Sequence, residues 1–410
     1  MVGASLAGLQ LAVSLRALGD TAPILLVGAE AHAPYERPPL SKEYLSGKGG
    51  PDGLALRTPA FYADQGIELV RGERVAHLVR PDGAAGTAAT TSGRRLRFDR
   101  LALTVGARTR TLVVPGADLA GVCSLRDLDD ADRLRSALAG ASQVVVVGGG
   151  FIGLEAAAVA RFRGAAVTVV EAADRLMTRA VAPLVSEFYR QAHERRGTAV
   201  LLSVGVAGVH GSEGRVTGVL LTDGRLLPAD LVIVGIGVVP RTELAEQLGL
   251  SCDGGIVVDA FARTSDPSVV AAGDCTVQPH PLTGEGRIRL ESVQNAIAQG
   301  SVAAATLLGR PQASTAVPWF WSNQGDLRLQ TAGLATGYDS YVVRGEPDTE
   351  RFSVLYYRGD QLLAVDAINQ PADYLVVRKA LTTGVNLPAD LVGEAATPLK
   401  ALLTVGAPTR

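Results

Sequence analysis

Cysteine is scarce. The 410-residue chain carries three, Cys123, Cys252 and Cys275. None stands in a CxxC pair or another metal-ligand spacing, so neither a zinc site nor a disulfide framework is expected, only buried thiols in a reducing compartment. Long hydrophobic runs are missing too. No uninterrupted apolar stretch reaches the ~18 residues of a membrane span. The most apolar segments, Val144–Val147 and Leu231–Val239, are short and broken by glycine, as buried parallel strands are. Charge of one sign is also lacking: the net charge is −2, which argues against nucleic acid or a basic membrane arm. Only Met1 and Val2 precede the first Gly-rich turn, so no signal peptide is expected and the expected location is cytoplasmic.

Glycine is abundant, at 47 residues, beside 47% hydrophobic and 20% charged residues. That is a globular composition, and the length implies two or three domains. The glycines punctuate an internal repeat. Met1–Glu30 reads as the end of a strand, a Gly-rich turn, a helix Leu6–Leu18 stopped by Gly19, and a strand Ile24–Val27. Gln143–Glu171 repeats this, with strand Val144–Val147, turn Gly148–Gly153, helix Ile152–Arg163, stop Gly164 and strand Ala166–Val170. Two βαβ starts on one chain imply an α/β fold with two Rossmann-like dinucleotide-binding domains. Hairpin-like stretches are expected at Val75–Phe98 and Leu201–Leu227, and a strand at Leu231–Ile236. Strand character returns over Val257–Asp274, followed by a helix Ser292–Leu308. From about Pro318 the texture changes to alternating β-branched and polar residues. Tyr341–Arg344 and Phe352–Tyr357 read as strands of an antiparallel sheet in a C-terminal α+β domain.

The turn Gly148-Gly149-Gly150-Phe151-Ile152-Gly153 satisfies GxGxxG in its proper setting, between a strand and a helix. The first glycine makes the tight turn, Gly150 lets the backbone approach a pyrophosphate, and Gly153 lets the helix pack on the strand. The helix N-terminus offers N–H groups and positive dipole to the anion. Glu171 ends the next strand, where a carboxylate accepts from both ribose hydroxyls and repels a 2′-phosphate, favouring NADH over NADPH. The competing reading is a glycine turn in a generic sheet with a solvated Glu; strand, helix and terminal acid, all in place, weigh against it. The first turn, Gly3-Ala4-Ser5-Leu6-Ala7-Gly8, is less regular. Ser5 replaces the middle glycine, little strand precedes it, and the ribose acid falls at Glu30.

These residues, followed by Tyr35-Glu36-Arg37-Pro38-Pro39-Leu40-Ser41-Lys42, resemble the NADH-dependent ferredoxin reductases. The resemblance continues through Gly149-Gly150-Phe151-Ile152-Gly153-Leu154-Glu155, Gly235-Ile236-Gly237-Val238-Val239-Pro240 and Ala272-Gly273-Asp274-Cys275. It ends with Glu291-Ser292-Val293-Gln294-Asn295-Ala296 and Pro318-Trp319-Phe320-Trp321-Ser322, running in order over essentially the whole chain. It implies an FAD-binding domain at 1–111 and 235–312, an NADH-binding domain at 112–234 and a C-terminal domain at 313–410. Toward FAD it implies Gly3, Ser5, Leu6, Ala7, Gly8, Glu30, Arg37, Lys42, Val75, Gly106, Arg126, Asp274, Glu291, Val293 and Trp321. Toward NADH it implies Gly148, Gly150, Phe151, Ile152, Gly153, Glu155, Glu171, Gly235, Ile236 and Gly237. Lys42 would sit near flavin N5 and pair with Glu155, a cation that stabilises reduced flavin with a carboxylate that limits its desolvation cost. Without that context, both would read as a surface Lys and an exposed helix Glu. Asp274 would bind the ribityl chain; alternatively it caps the next element. Trp319 reads as core.

The sequence departs from the family in four places. Thr104-Val105-Gly106 replaces Ala-Thr-Gly, Arg241 replaces an Asn, and the acid is at Glu30 where several relatives would have it at position 29. The first strand is nearly absent, and the expectation is that the start of the sequence is incomplete.

Relatives that reduce disulfides need a Cys pair shortly after the first helix, and NADH peroxidases need a single Cys there. This chain has no Cys before Cys123, so the flavin itself must pass electrons on. The expected reaction is hydride transfer from NADH to FAD, then single electrons to an iron–sulfur ferredoxin that serves a monooxygenase or dioxygenase. Arg289 and Arg310 are candidate docking cations. Two alternatives stay open: a rubredoxin as acceptor, and an apoptosis-inducing-factor-like, redox-gated binding protein.

Overall fold

The computed structural model describes residues 1–81, 85–284, 286–394 and 397–403. Part of the expected Val75–Phe98 hairpins and the end of the expected C-terminal domain lie outside the described residues. No helix among the described residues is long and apolar enough to cross a membrane. The chain gathers into two compact units.

The first unit comprises Met1–Glu36, Asp52–Arg108 and Val238–Pro318. Its centre is a parallel sheet in which Ile67–Val70 pairs with Ile24–Val27, and Leu101–Leu103 with Val269–Ala271. Val2 joins the two halves through parallel bridges to Val27 and Leu103. Met1 and Val2 thus do the work of the central strand: Val2 N–H donates to Ala102 O at 2.9 Å, and Val27 N–H to Met1 O at 3.0 Å. Helices Leu6–Ala17 and Val293–Leu307 cover one face with small side chains, Ala7, Ala12, Ala296, Ala303 and Ala304. They approach so closely that a Cβ at Gly300 would lie 2.8 Å from Ala7 O. The antiparallel strands Val75–Val79, Gly86–Thr90 and Arg95–Phe98 enclose a second core with Val2, Val27 and Leu103. The expected strand character of Val257–Asp274 is confined to Ile256–Val257 and Val269–Ala271. Between them the Asp259 carboxylate accepts from the N–H groups of Phe261 and Arg263, and Ala262 has φ +60°, so the chain turns there.

The second unit comprises Arg37–Pro51, Thr109–Gly237 and Trp319–Arg410. Its parallel sheet runs in the order Thr198–Leu201, Ala166–Val170, Gln143–Val147, Leu231–Val234, Val122–Ser124. Val144–Val147 and Leu231–Val234 are buried along their whole length, which explains their unbroken apolar sequence. The helix Phe151–Phe162 buries Leu154, Ala156, Ala157 and Ala160. The hairpin stretch resolves into Val206–Ser212, Arg215–Leu221 and Leu226–Pro228. The C-terminal segment is a five-stranded antiparallel sheet in the order Trp319–Gln324, Leu327–Gly333, Gln361–Ile368, Arg351–Arg358, Ser340–Glu346. The helix Pro371–Thr383 packs its Tyr374, Val377 and Ala380 on that sheet.

Candidate functional site

In the first unit the two ends of the irregular Gly turn meet the strand end Thr104. Thr104 Oγ1 donates to Gly3 O at 2.8 Å, and a Cβ at Gly3 would fall 2.1 Å from Thr104 O. A Cβ at Gly8 would fall 2.2 Å from Gly3 O, so both outer glycines of the motif are required by the protein's own packing. Ser5 stands at the N-cap of the helix that starts at Leu6 and Ala7. Gly106 follows in the left-handed region at φ +65°, and its carbonyl accepts from the backbone N–H of Arg241. Glu30 lies beyond the strand Ile24–Val27 and accepts the Tyr35 hydroxyl at 2.6 Å. The turn at Gly273 is close to the same helix start: a Cβ there would be 3.2 Å from the Ala7 methyl and 3.8 Å from that of Ala296. This brings Ala7, Asp274 and the Val293 helix together. Asp274 caps no helix, since the next element is the strand Thr276–Pro279. Gln299, nearly fully buried, accepts the Gly273 N–H at 2.7 Å and ties that turn to the helix. Gln294, beside Val293 and not singled out by the sequence, keeps a buried Oε1 with no partner among the described residues. Such an atom needs a donor. Val75 is buried at the start of its strand, and Glu291 is an ion-pair partner of Arg289 at 3.4 Å.

In the second unit the Gly148 turn can be tested glycine by glycine. A Cβ at Gly148 (φ +104°) would lie 2.5 Å from Gly235 O, at Gly149 2.5 Å from Leu176, and at Gly153 2.3 Å from Gly148 O. Gly150 differs: its φ of −81° suits any residue, and a Cβ there would meet nothing closer than 4.0 Å. Neither backbone nor packing requires a glycine at 150, so the open space above it fits a bound pyrophosphate at a helix N-terminus. Glu171 holds the turn: its Oε2 accepts Gly149 N–H at 2.6 Å and its Oε1 accepts Ala173 N–H at 2.8 Å. Gly235 packs against Gly153, and Ile236 leads into Gly237, φ +95°. Two guanidinium groups flank Gly237. A Cβ there would be 3.1 Å from Arg179 and 3.8 Å from Arg110, cations that no motif marked. Ile152 is exposed on its helix.

The loop Arg37–Pro51 is anchored on the same unit. Tyr44 donates to Asp132 at 2.6 Å with the Arg135 guanidinium over its ring, and Arg37 donates to the Arg126 carbonyl at 2.9 Å. The short helix Pro38–Ser41 then places Lys42 against Glu155, Nζ to Oε2 2.7 Å. Glu155 is buried, and it is not bound by Lys42 alone. Ser41 donates to Oε2 at 2.5 Å and Ser322 to Oε1 at 2.6 Å. Lys42 also donates to Pro38 O at 3.0 Å. Alternation along Trp319–Gln324 sorts the strand's residues. Phe320, Ser322 and Gln324 reach Phe151, Glu155 and His193, with the Phe151 and Phe320 rings 4.7 Å apart. Trp319 and Trp321 pair on the opposite face, rings 5.8 Å apart, and Trp319 packs with Tyr374 and Arg378. Ser41 and Ser322 were present in the sequence motifs, but a serine in a motif announces no partner.

Burial pushes the Cys275 thiol up to about 12 and raises Cys123 and Cys252 as well. All three are free and protonated near neutrality. Two Gly-turn units with these acids and a buried Lys–Glu pair define a two-dinucleotide oxidoreductase whose thiols are not poised for redox work.

Comparison with known proteins agrees. The pyridine nucleotide-disulphide oxidoreductase family matches residues 1–300 and the reductase C-terminal family matches residues 319–403. Rhodocoxin reductase of Rhodococcus erythropolis is 44% identical over 98% of this chain and 93% of its own length. A ferredoxin reductase structure from Rhodopseudomonas palustris, 40% identical, superposes with TM-score 0.93 over 99% of this chain and 98% of the other. The covalent putidaredoxin reductase–putidaredoxin complex matches equally, at TM-score 0.93 and 40% identity over 99% of this chain and 97% of the other. The chain belongs to the pyridine nucleotide-disulphide oxidoreductases, among their ferredoxin reductases. Its fold is two Rossmann-like domains and a C-terminal α+β domain, and its cofactors are FAD and NAD(H).

Proposed function

We propose that this chain is an NADH:ferredoxin oxidoreductase feeding single electrons to an iron–sulfur ferredoxin that serves a monooxygenase or dioxygenase. The observation that carries the reading is whole-length likeness to rhodocoxin reductase and to putidaredoxin reductase, seen in covalent complex with putidaredoxin. We assign FAD to 1–111 and 235–312, NADH to 112–234, and the remaining 313–410 to the C-terminal domain. FAD, when bound, takes up hydride and releases electrons one at a time. Gly150 and the helix behind it receive the NADH pyrophosphate, and Glu171 accepts from the ribose hydroxyls. Lys42 and Glu155 hold a fixed charge pair at the hydride site, and Phe151 forms its wall. Ser5, Gly8, Glu30, Asp274 and Val293 serve FAD in the first unit. The cytoplasm is the proposed location, where three unpaired thiols stay reduced.

The test is anaerobic NADH reduction of a [2Fe–2S] ferredoxin by the purified protein, run beside NADPH. Near-stoichiometric flavin absorbance and ferredoxin bleaching faster with NADH are expected. A flavin-free protein, or flavin reduced by NADH that passes no electrons to any of a panel of ferredoxins, defeats the proposal.

A further inference from the structure

A chain of buried hydrogen bonds leads away from Glu155. Ser322 Oγ donates to Glu155 Oε1 at 2.6 Å, Gln324 Nε2 lies 3.3 Å from Ser322 Oγ, and His193 Nε2 lies 2.8 Å from Gln324 Oε1. Ser322, Gln324, His193 and Glu155 are 0%, 1%, 2% and 2% exposed, so water cannot substitute for a missing partner.

Chemistry fixes the direction of every bond. Glu155, bound by Lys42, is an acceptor only. The single Ser322 proton is therefore committed to Glu155, and the Gln324 atom facing Ser322 must be its NH2. That places the Gln324 carbonyl toward His193, whose Nε2 must carry a proton. Gln324 Nε2 also lies 3.7 Å from Met177 Sδ, a weak acceptor, in accord with this orientation. Burial lowers the His193 pKa, so the ring is the neutral Nε2–H tautomer. His193 donates to Gln324, Gln324 to Ser322 and Ser322 to the carboxylate, so the three bonds run in one direction and each polarises the next. Oε2 is meanwhile held by Ser41 and Lys42, so both carboxylate oxygens are fixed from opposite sides.

We infer that Ser322, Gln324 and His193 are positioning residues that hold the Glu155 carboxylate in one orientation for hydride transfer from NADH. The C-terminal strand Trp319–Gln324 is thereby part of the hydride site as well as of its own sheet. The inference rests on the proposed role of Lys42 and Glu155.

The test uses flavin-loaded protein under anaerobic single turnover. Ser322→Ala is expected to lower the limiting rate of flavin bleaching by NADH about tenfold, the size of one hydrogen bond to a charged group. The apparent Kd for NADH should stay within about twofold, since the residue acts on orientation and not on the dinucleotide grip. Ser322→Thr, which keeps the hydroxyl, should restore most of the rate. Gln324→Met and His193→Phe should slow the step progressively less, in order of distance from Glu155. A second readout needs no turnover. The long-wavelength absorbance of dithionite-reduced protein with added NAD+ should shift in Ser322→Ala and return in Ser322→Thr. Wild-type rates and absorbance in both Ser322→Ala and Gln324→Met overturn the inference, as do losses that follow melting temperature instead of position along the chain. Should Ser322→Ala fail to hold flavin, Gln324→Met and Ser322→Thr still decide. Glu155→Gln separates the two levels. If it slows bleaching while Ser322→Ala does not, only this inference fails; if Glu155→Gln is also silent, the reading of the hydride site fails with it.

Discussion

Glu171 Oε2 accepts the Gly149 N–H at 2.6 Å, so the acid that ends one strand is tied to the turn that opens the neighbouring helix. Each of its oxygens already takes one backbone N–H and has lone pairs left for ribose hydroxyls. Glu171→Arg removes those acceptors and supplies a partner for a 2′-phosphate. The ratio of kcat/KM for NADH to that for NADPH is expected to fall at least ~100-fold, the worth of about two charge-assisted hydrogen bonds. Stability should drop by ~1–3 kcal/mol as two N–H groups lose partners. An unchanged cofactor ratio would show that Glu171 serves only the loop.

Gly150 and Gly148 should respond oppositely to alanine. At Gly150 the backbone suits alanine and there is room for a methyl, so Gly150→Ala should leave the NADH-free protein as stable or ~0.4–1 kcal/mol more stable. The methyl would occupy the space assigned to the pyrophosphate, and NADH affinity should fall at least ~10-fold, about 1.4 kcal/mol. At Gly148, φ is +104° and a Cβ would press on Gly235 O, so Gly148→Ala should destabilise by ~1–3 kcal/mol or more before any ligand is added. Urea denaturation and NADH titration of both variants read the difference. Wild-type NADH affinity in Gly150→Ala would remove the pyrophosphate from this turn.

What the sequence revealed was local. Strand, turn, helix and acid from Val144 to Glu171 are neighbours along the chain, and their glycines announce the turn that needs them. The broken stretch Val257–Asp274 misled because its β-branched residues do not register the Asp259 turn, which depends on side-chain acceptors. The surroundings of Glu155 were only half visible. The Lys42 partner followed from a family motif. The Ser41 and Ser322 bonds join residues 114 and 167 positions from Glu155, and nothing in a serine's neighbours marks such a contact. The strand Trp319–Gln324 was not named from the sequence, and which of its faces meets the helix Phe151–Phe162 is decided by packing.

Lys42 and Glu155 allow structure and chemistry to be separated. Glu155 is 2% exposed on its side chain, so Lys42→Met strands a buried carboxylate and should cost ~3–5 kcal/mol. Pairing it with Glu155→Gln removes the stranded charge, and most of that stability should return. The rate of flavin reduction by NADH should not return, because the cation we propose for the hydride site is still missing. A double-mutant cycle on both denaturation and single-turnover rate checks this. Recovery of rate together with stability would mean the pair is structural only.

Asp366 gives the molecule a pH-dependent stability that can be isolated. Burial among the sheet strands pushes its carboxyl up to about 7 from an ordinary 3.8, although the Tyr356 hydroxyl bonds to it at 2.7 Å. The folded state therefore keeps this proton between roughly pH 4 and pH 7, where the unfolded chain has released it. Folded protein binds more protons in that window, so this contribution to stability is full at low pH and is lost as pH rises through the window. A shift of about three units corresponds to ~4 kcal/mol in the limit. Asp366→Asn keeps an acceptor for Tyr356 and cannot titrate. Wild-type stability is expected to decline from pH 5 to pH 8 relative to the variant, and the variant should be the more stable at pH 8 by a few kcal/mol. His193, whose pKa burial lowers, acts in the opposite sense but equally in both proteins, so the difference between the two curves belongs to Asp366. Parallel curves from urea denaturation at pH 5, 6, 7 and 8 would mean that Asp366 is ionised in the folded protein throughout.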